Sequence, residues 1–591
     1  LLHVEGTGNP LEYEIVFDPR LGQTVDVPAT AGETIDADPQ QQDKRAVAVP
    51  LGDLDGDGYD DWISAVHDEV GKLADINQAV TAGNEVGDVI GTRRAWIQFG
   101  AADGQHVNSI TLDLPAPLLN ASLGYTQSSL VGGDFNGDGF GDVAVSVMWN
   151  ENGEYIDDPQ FQRPDRSGLY IIFGSASRWN NGLDLESDAD YFNDFLFTEL
   201  NGRLVNIGDF YGELTNAGNL TDDLLLYRGP EQISSDSNQN LDDPVALILP
   251  GKRLTDLVGD FDVLKGNVPL LPDQRELYQL KATEIGDFNG DGATDFAIGE
   301  HLSGDLAEQG NPFAKRVNTF VIYGGADLSP STEDWDGLAG TTRFTRFSSG
   351  FLGTDFGLVG LGNIDGDAGG HDELAIHALN EWTVIRGDSI PTDTQIDLSS
   401  ISSSDAFRVL ETDGGQTRYR QLVHLGNVDG MGGDELGAVA FEHSEVADES
   451  GFLLRHQISE IFFDRSWNDW QSVQWVESGV GANDRTIADV VLEYETPAYE
   501  DGAFIGHPRH AELFVGLRDV TGAGSSRDGR DDLVLVDRVG GTARLFAGMQ
   551  AAASEPEPAE VSKSLVDFPL ATPLPQSNRF SGIALSRPLA D

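Results

Sequence analysis

The sequence predicts an all-β fold, a seven-bladed β-propeller of four-stranded antiparallel blades. Three observations predict it: a loop rich in aspartate and glycine that recurs seven times, an apolar strand pattern that recurs in step with it, and a composition suited to short strands and tight turns. The chain has 591 residues, long for one compact core, so several domains or a repeat architecture are the starting expectations. Hydrophobic residues make up 39% and glycines number 70, a pairing that favours strands joined by turns over long helices.

The first loop reads Gly52-Asp53-Leu54-Asp55-Gly56-Asp57-Gly58. It returns as Gly133-Asp134-Phe135-Asn136-Gly137-Asp138-Gly139 and as Gly286-Asp287-Phe288-Asn289-Gly290-Asp291-Gly292. Looser copies begin at Asp209, Asn363, Asn427 and Asp519, so the seven starts are spaced 64 to 92 residues apart. Downstream of each loop lies an apolar β-type run that usually ends in glycine. Examples are Ala95-Trp96-Ile97-Gln98-Phe99-Gly100, Leu169-Tyr170-Ile171-Ile172-Phe173-Gly174 and Thr319-Phe320-Val321-Ile322-Tyr323-Gly324; the sixth ends instead in Phe463-Asp464. Each unit therefore reads as strand, acidic loop, strand, variable segment, strand and a weaker fourth strand. One such sheet leaves two apolar faces bare, and a ring of sheets buries them.

The ring is expected over residues 46–550. Residues 1–45 form an N-terminal segment whose strand-like stretch Leu11 to Phe17 is one candidate for closing it. Residues 551–591 are a linker and tail opening on Ala551-Ala552-Ala553-Ser554-Glu555-Pro556, and Leu565-Val566-Asp567-Phe568 is the other closing candidate. Starting at Leu1 without a methionine, the chain is expected to be a processed or truncated form.

The loop spacing suits a hard cation. Calcium takes several oxygen ligands at roughly 2.3–2.6 Å, and carboxylates at alternate residues with glycines between them let the backbone wrap such an ion. The first candidate set is Asp53, Asp55, Asp57, the Tyr59 carbonyl and Asp61. The second is Asp134, Asn136, Asp138, the Phe140 carbonyl and Asp142; the third is Asp287, Asn289, Asp291, the Ala293 carbonyl and Asp295. A fourth, with a two-residue insertion, is Asn363, Asp365, Asp367 and Glu373. The fifth, Asn427, Asp429 and Glu435, has Met431 where a carboxylate belongs, and the loops at Asp209 and Asp519 are expected to keep the turn without the ion. An EF-hand needs glutamate at the twelfth loop position, occupied here by Ser64, Val145 and Ile298. Aspartate and glycine are also ordinary turn residues, and magnesium is an alternative ion.

These loops resemble the FG-GAP repeat family, best known from the seven-bladed propeller of integrin α subunits. Phe356-Gly357 and the altered Leu123-Gly124-Tyr125 correspond to its first element and Ile298-Gly299 loosely to its second. The resemblance, spanning about 50–550, implies calcium sites that stiffen the blades.

Acidic residues number 99 against 36 Lys and Arg, a formal net charge of −63, which repels nucleic acid and anionic lipid and gathers cations. No cysteine is present, which excludes disulfides and thiolate metal sites, and no run approaches the ~20 apolar residues of a membrane span. The 11 histidines form no metal-binding spacing, and neither a nucleophile elbow nor a phosphate loop appears, so the chain is expected not to be an enzyme. Long segments near 66–93, 147–166, 228–243 and 300–316 place a candidate rim for a protein or glycan ligand on the face opposite the acidic loops, including Trp149, Tyr155, Phe161 and Phe313. Arg386-Gly387-Asp388 spells an adhesion tripeptide but sits in register with the strand-ending glycines, so it reads as structural. The expected role is a secreted or cell-surface adhesion or protein-interaction module. A carbohydrate-binding or polysaccharide-lyase propeller and a structural subunit of a surface layer or filament are the alternatives.

Overall fold

A computed structural model describes residues 23–26, 44–68, 94–100, 109–113, 129–149, 166–179, 182–196, 202–212, 220–228, 246–251, 276–303, 315–325, 344–349, 357–378, 381–387, 395–410, 417–430, 432–447, 453–473, 490–497, 499–500, 503–504, 513–520, 529–537, 542–546 and 566–569. The fold is all-β, with only short helical turns among these residues, at Leu185–Asp188, Leu398–Ser400 and Trp467–Ser472.

Among the described residues seven mainly antiparallel sheets follow one another along the chain, each built around one acidic loop, and Tyr499–Glu500 pairs with Ala503–Phe504 in a separate two-stranded sheet. The first pairs Lys44–Gly52 with Asp61–Asp68, then Arg94–Gln98 and Ser109–Asp113. The second runs through Ser129–Gly133, Asp142–Trp149, Arg166–Ile172 and Tyr191–Leu196. The third shows three described strands, Gly202–Asn206, Leu224–Arg228 and Ala246–Leu249. The fourth contains Glu276–Gly286, Asp295–Ser303, Lys315–Ile322 and Phe344–Ser349, and the fifth Gly357–Gly362, Glu373–Ala378, Glu381–Ile385 and Ala406–Leu410. Thr417–His424, Leu436–Ala447, Leu453–Phe462 and Val490–Pro497 form the sixth; Leu513–Leu517, Asp532–Asp537, Thr542–Phe546 and Val566–Pro569 form the seventh.

Uniform four-stranded sheets are not what these residues form. Three sheets gain a fifth, parallel strand: Leu183–Asp184 joins the first, Gln395–Asp397 the fourth and Gln23–Asp26 the sixth. Each covers an outer edge whose backbone groups would otherwise face solvent unpaired. The seventh sheet takes its outer strand from beyond residue 550, and the stretch Leu11 to Phe17 lies outside the described residues.

Side-chain alternation explains the near-continuous apolar runs of the second strands. Val143 and Val145 enter a core shared with the first sheet, while Ala144 enters the core shared with the third. Leu224 and Leu226 face back to the second sheet, and Leu225 and Tyr227 face forward to the fourth. The same split separates Ala297 from Phe296 and Ile298, and Ala375 from Leu374 and Ile376. Each core thus lies between two sheets. The first strand of every sheet packs on the first strand of the next, and that of the seventh packs on that of the first.

Candidate metal centre

The apolar second residue of each loop anchors it. Leu54, Phe135, Phe210, Phe288, Ile364 and Val428 are buried, so the flanking acids are drawn over the sheet ends. Within the first loop, Asp53 Oδ1 accepts the amides of Gly56 (2.7 Å) and Asp57 (3.1 Å), and its Oδ2 accepts that of Gly58 (2.9 Å). Asp55 Oδ1 accepts from Asp57 N at 3.1 Å, and Asp57 Oδ1 from Tyr59 N at 2.9 Å. This winding places Gly56 at φ 76° and Gly58 at φ 95°, the left-handed region in which glycine is unstrained.

The second and third loops repeat the pattern. Asp134 Oδ1 and Oδ2 accept from Asp138 N (3.1 Å) and Gly139 N (2.8 Å); Asp287 does the same with Asp291 N (3.0 Å) and Gly292 N (2.8 Å). Asn136 Oδ1 and Asn289 Oδ1 each accept the amide two residues on at 2.8 Å. The amides of Phe140 and Ala293, like that of Tyr59, bond to the third loop acid, at 2.9 and 3.0 Å.

The closing acids are the most buried. Asp61, Asp142 and Asp295 are 0% exposed. One oxygen of each accepts a loop amide, from Leu54 (2.8 Å), Phe135 (2.8 Å) and Asn289 (3.2 Å) respectively. The other accepts the amide of the glycine ending the third strand, from Gly100, Gly174 and Gly324, all at 2.8 Å. Asp223 closes the third sheet in the same way, between Tyr211 N (3.0 Å) and Gly251 N (2.8 Å). Those glycines admit no side chain: a Cβ at Gly174 would stand 2.2 Å from Gly141 O, and one at Gly100 2.5 Å from Asp60 O.

Burial, reinforced by neighbouring loop carboxylates, pushes Asp61 up to about 8, Asp142 to about 9 and Asp295 to about 8, against the pull of the amides they accept. Burial and then Asp57 raise Asp55, and burial raises Asp134. A buried closing carboxylate beside partly exposed loop carboxylates suits a bound positive charge. Oxygens of Asp53, Asp55 and Asp61 lie within 4.8 Å of one another, a separation that one calcium ion can span with ligands at roughly 2.3–2.6 Å. The all-oxygen donor set fits a hard divalent cation.

The fourth predicted set behaves differently. Asn363 Oδ1 and Asp365 Oδ1 accept Asp367 N at 3.1 and 3.0 Å, so the winding persists. Arg386, however, extends into it, its Nε 3.0 Å from Asp365 Oδ2 and its Nη2 3.2 Å from Asp367 Oδ2. His371 adds contacts to Asp367 from its amide and its Nδ1, both at 3.2 Å. A guanidinium is therefore already in place beside the expected cation ligands. Glu373, 0% exposed, accepts Ile364 N on Oε2 at 2.9 Å, and its Oε1 has no hydrogen-bond partner among the described residues. The arginine of the Arg386-Gly387-Asp388 tripeptide is thus tied to the loop; Asp388 lies outside the described residues.

Sequence reasoning missed a second role for the doubled acids. The residue before each closing acid donates its backbone amide to the carbonyl of the first loop residue of the preceding sheet. The seven bonds run Gly141 N to Asp53 O, Asp222 N to Asp134 O, Thr294 N to Asp209 O, Asp372 N to Asp287 O, Asp434 N to Asn363 O, Asp531 N to Asn427 O and Asp60 N to Asp519 O, at 2.8–3.3 Å. Four of them are reciprocated by side chains: Asp222, Asp372, Asp434 and Asp531 accept the amides of Asp134 (3.0 Å), Asp287 (2.6 Å), Asn363 (3.0 Å) and Asn427 (2.8 Å). The doubled acids Asp222-Asp223, Asp372-Glu373, Asp434-Glu435 and Asp531-Asp532 were the available signal.

Of the expected ligand rim, Trp149 ends a strand of the second sheet, and Tyr155, Phe161 and Phe313 lie outside the described residues. No described helix is long and apolar enough to cross a membrane.

The model of the FG-GAP repeat family matches residues 126–154, the stretch that holds the second loop, so the chain carries an FG-GAP repeat there. Among solved structures, rhamnogalacturonan lyase YesW is similar at 12% identity and a TM-score of 0.26, over 92% of this chain and 76% of that one. No curated protein matches the sequence.

Proposed function

We propose that the chain is a seven-bladed, calcium-stabilised β-propeller that serves outside the cell as a non-enzymatic adhesion or protein-interaction module. The observation that carries this reading is the circuit of seven loop-to-loop hydrogen bonds, which starts at Asp53 and returns to it through Asp60 and Asp519. A circuit of that form joins seven sheets through the same loops that would hold the ions, so a bound cation stiffens the joints between blades. The FG-GAP repeat at residues 126–154 supports the propeller reading. The closing acids of the first four sheets are committed to loop and strand-end amides, and Asp222, Asp372 and Asp531 to neighbouring loops, which favours a scaffold role over acid–base chemistry for these residues. A protein or glycan ligand would bind at the long segments near 66–93, 147–166, 228–243 and 300–316.

Melting of the full chain with saturating calcium and after chelation tests the metal part. An ion that binds only the folded state adds about 2.7 kcal/mol per site at a hundred times its dissociation constant, so calcium should raise Tm by many degrees. An unchanged Tm overturns it. Protein and glycan arrays probed with and without chelator test the module reading, which expects calcium-dependent retention of a ligand. Release of unsaturated products from an acidic polysaccharide would overturn the non-enzymatic assignment.

A further inference from the structure

The sixth sheet departs from the common pattern at two positions, and the two departures meet. Its loop has Met431 at the third alternate position, and its third strand ends in Asp464 where other sheets have glycine. The pairing registers fix the equivalence: Leu436 opposite Phe462 corresponds to Leu374 opposite Ile385 and to Trp62 opposite Gln98. Asp464 thus stands in the place of Gly100 and Gly387, and Phe463 in the place of Arg386.

In the first four sheets the strand-ending glycine donates its amide to the second oxygen of the closing acid. Glu435 keeps only the other half of this arrangement. It is 0% exposed, and its Oε2 accepts the amides of Val428 and Asp429. Its Oε1 is buried with no hydrogen-bond partner among the described residues. Asp464 turns into the same loop, where its Oδ2 accepts Gly433 N at 3.1 Å. Carboxylate oxygens of Asp429, Glu435 and Asp464 lie within 4.8 Å of one another.

An orphaned buried oxygen is costly, and gathered carboxylates repel. One hard cation with ligands at roughly 2.3–2.6 Å removes both penalties at this separation. We infer that Asp429, Glu435 and Asp464 form a further calcium-type site, closed by a carboxylate from the end of the third strand in place of the loop carboxylate missing at 431. The ion then links strand end to loop, the link that the glycine amide supplies elsewhere. Arg530, which lies against Gly430 from the seventh sheet, is the rival countercharge.

The inference deepens the calcium reading, and ion counting by native mass spectrometry on the full chain in calcium separates the two. Asp464→Asn should bind one calcium fewer than the unaltered chain. A triple variant, Asp53→Asn with Asp134→Asn and Asp287→Asn, should keep an ion that Asp464→Asn then removes. Equal counts with and without Asp464→Asn in both backgrounds overturn the site and leave the countercharge to Arg530. An ion lost only on changing Asp464, with none bound by the three loops, would refute the earlier reading and uphold this one. Should Asp464→Asn not fold, Asp464→Gly alone should lose one ion, and Asp464→Gly with Met431→Asp should regain it. An undiminished count in Asp464→Gly overturns the site equally.

Discussion

Arg386 shows how one side chain changes what a loop needs. Its guanidinium lies beside Asp365, which is buried, and Asp367, and it also packs 5.7 Å from the Trp467 ring centroid. The fourth loop therefore carries its own countercharge, and a calcium ion would gain less there than in the first three. Removing one partner of a buried ion pair strands the other and costs about 3–5 kcal/mol. Arg386→Gln should lower the melting temperature of the chelated protein, and calcium should then recover more of the loss than it adds to the unaltered chain. Scanning calorimetry with and without calcium reads both changes. An equal calcium increment in the two proteins would show that the guanidinium does not stand in for an ion.

At the scale of elements, the joint between sheets is a two-way bond. Asp287 donates its amide to Asp372 Oδ2 and accepts the Asp372 amide on its carbonyl, so the first ligand of the third loop is held by the fifth sheet. Asp372→Ala removes the side-chain half and leaves the Asp287 amide unpaired, a cost of about 1–3 kcal/mol. Denaturant unfolding should record that loss. Calcium titration should show one weakened ion, because Asp287 loses the contact that orients it; a loss of stability with all affinities intact would separate the joint from the metal. The joint was not read from the sequence, but much of the fold around it was. The apolar run that follows each acidic loop, such as Val143-Ala144-Val145, marked a strand, and the spacing from Asp53 to Asp61 marked the winding. The parallel strands Leu183–Asp184, Gln395–Asp397 and Gln23–Asp26 were not legible, being short, polar and paired with distant segments. Asp464 and Arg386 stood in plain view, one as a missing glycine and one inside a tripeptide. Only their distances to the loops reveal what they do, since a strand pattern gives register without saying which way a long side chain folds back.

For the whole molecule, the buried closing acids couple pH, calcium and stability. Without an ion, burial holds Asp61 and Asp295 at about 8 and Asp142 at about 9, all above the unfolded value near 3.9. Between these limits the folded chain binds protons that the unfolded chain has released, so stability falls as pH rises, by up to about 1.4 kcal/mol per pH unit for each acid. A net charge of −63 adds self-repulsion in the same direction. A calcium ion bound at these acids would reverse the sign of the problem, because it would displace the protons and favour the ionised form. The chelated protein should therefore melt at a lower temperature at pH 8 than at pH 5.5, while the calcium-loaded protein should hold or gain stability over the same interval. Calcium binding at pH 7 should release protons, visible as a dependence of the calorimetric heat on the ionisation enthalpy of the buffer. A calcium increment in Tm that is the same at pH 5.5 and pH 8, with buffer-independent heats, would mean that the closing acids are already ionised before the ion arrives, and the link from burial to metal demand would fail.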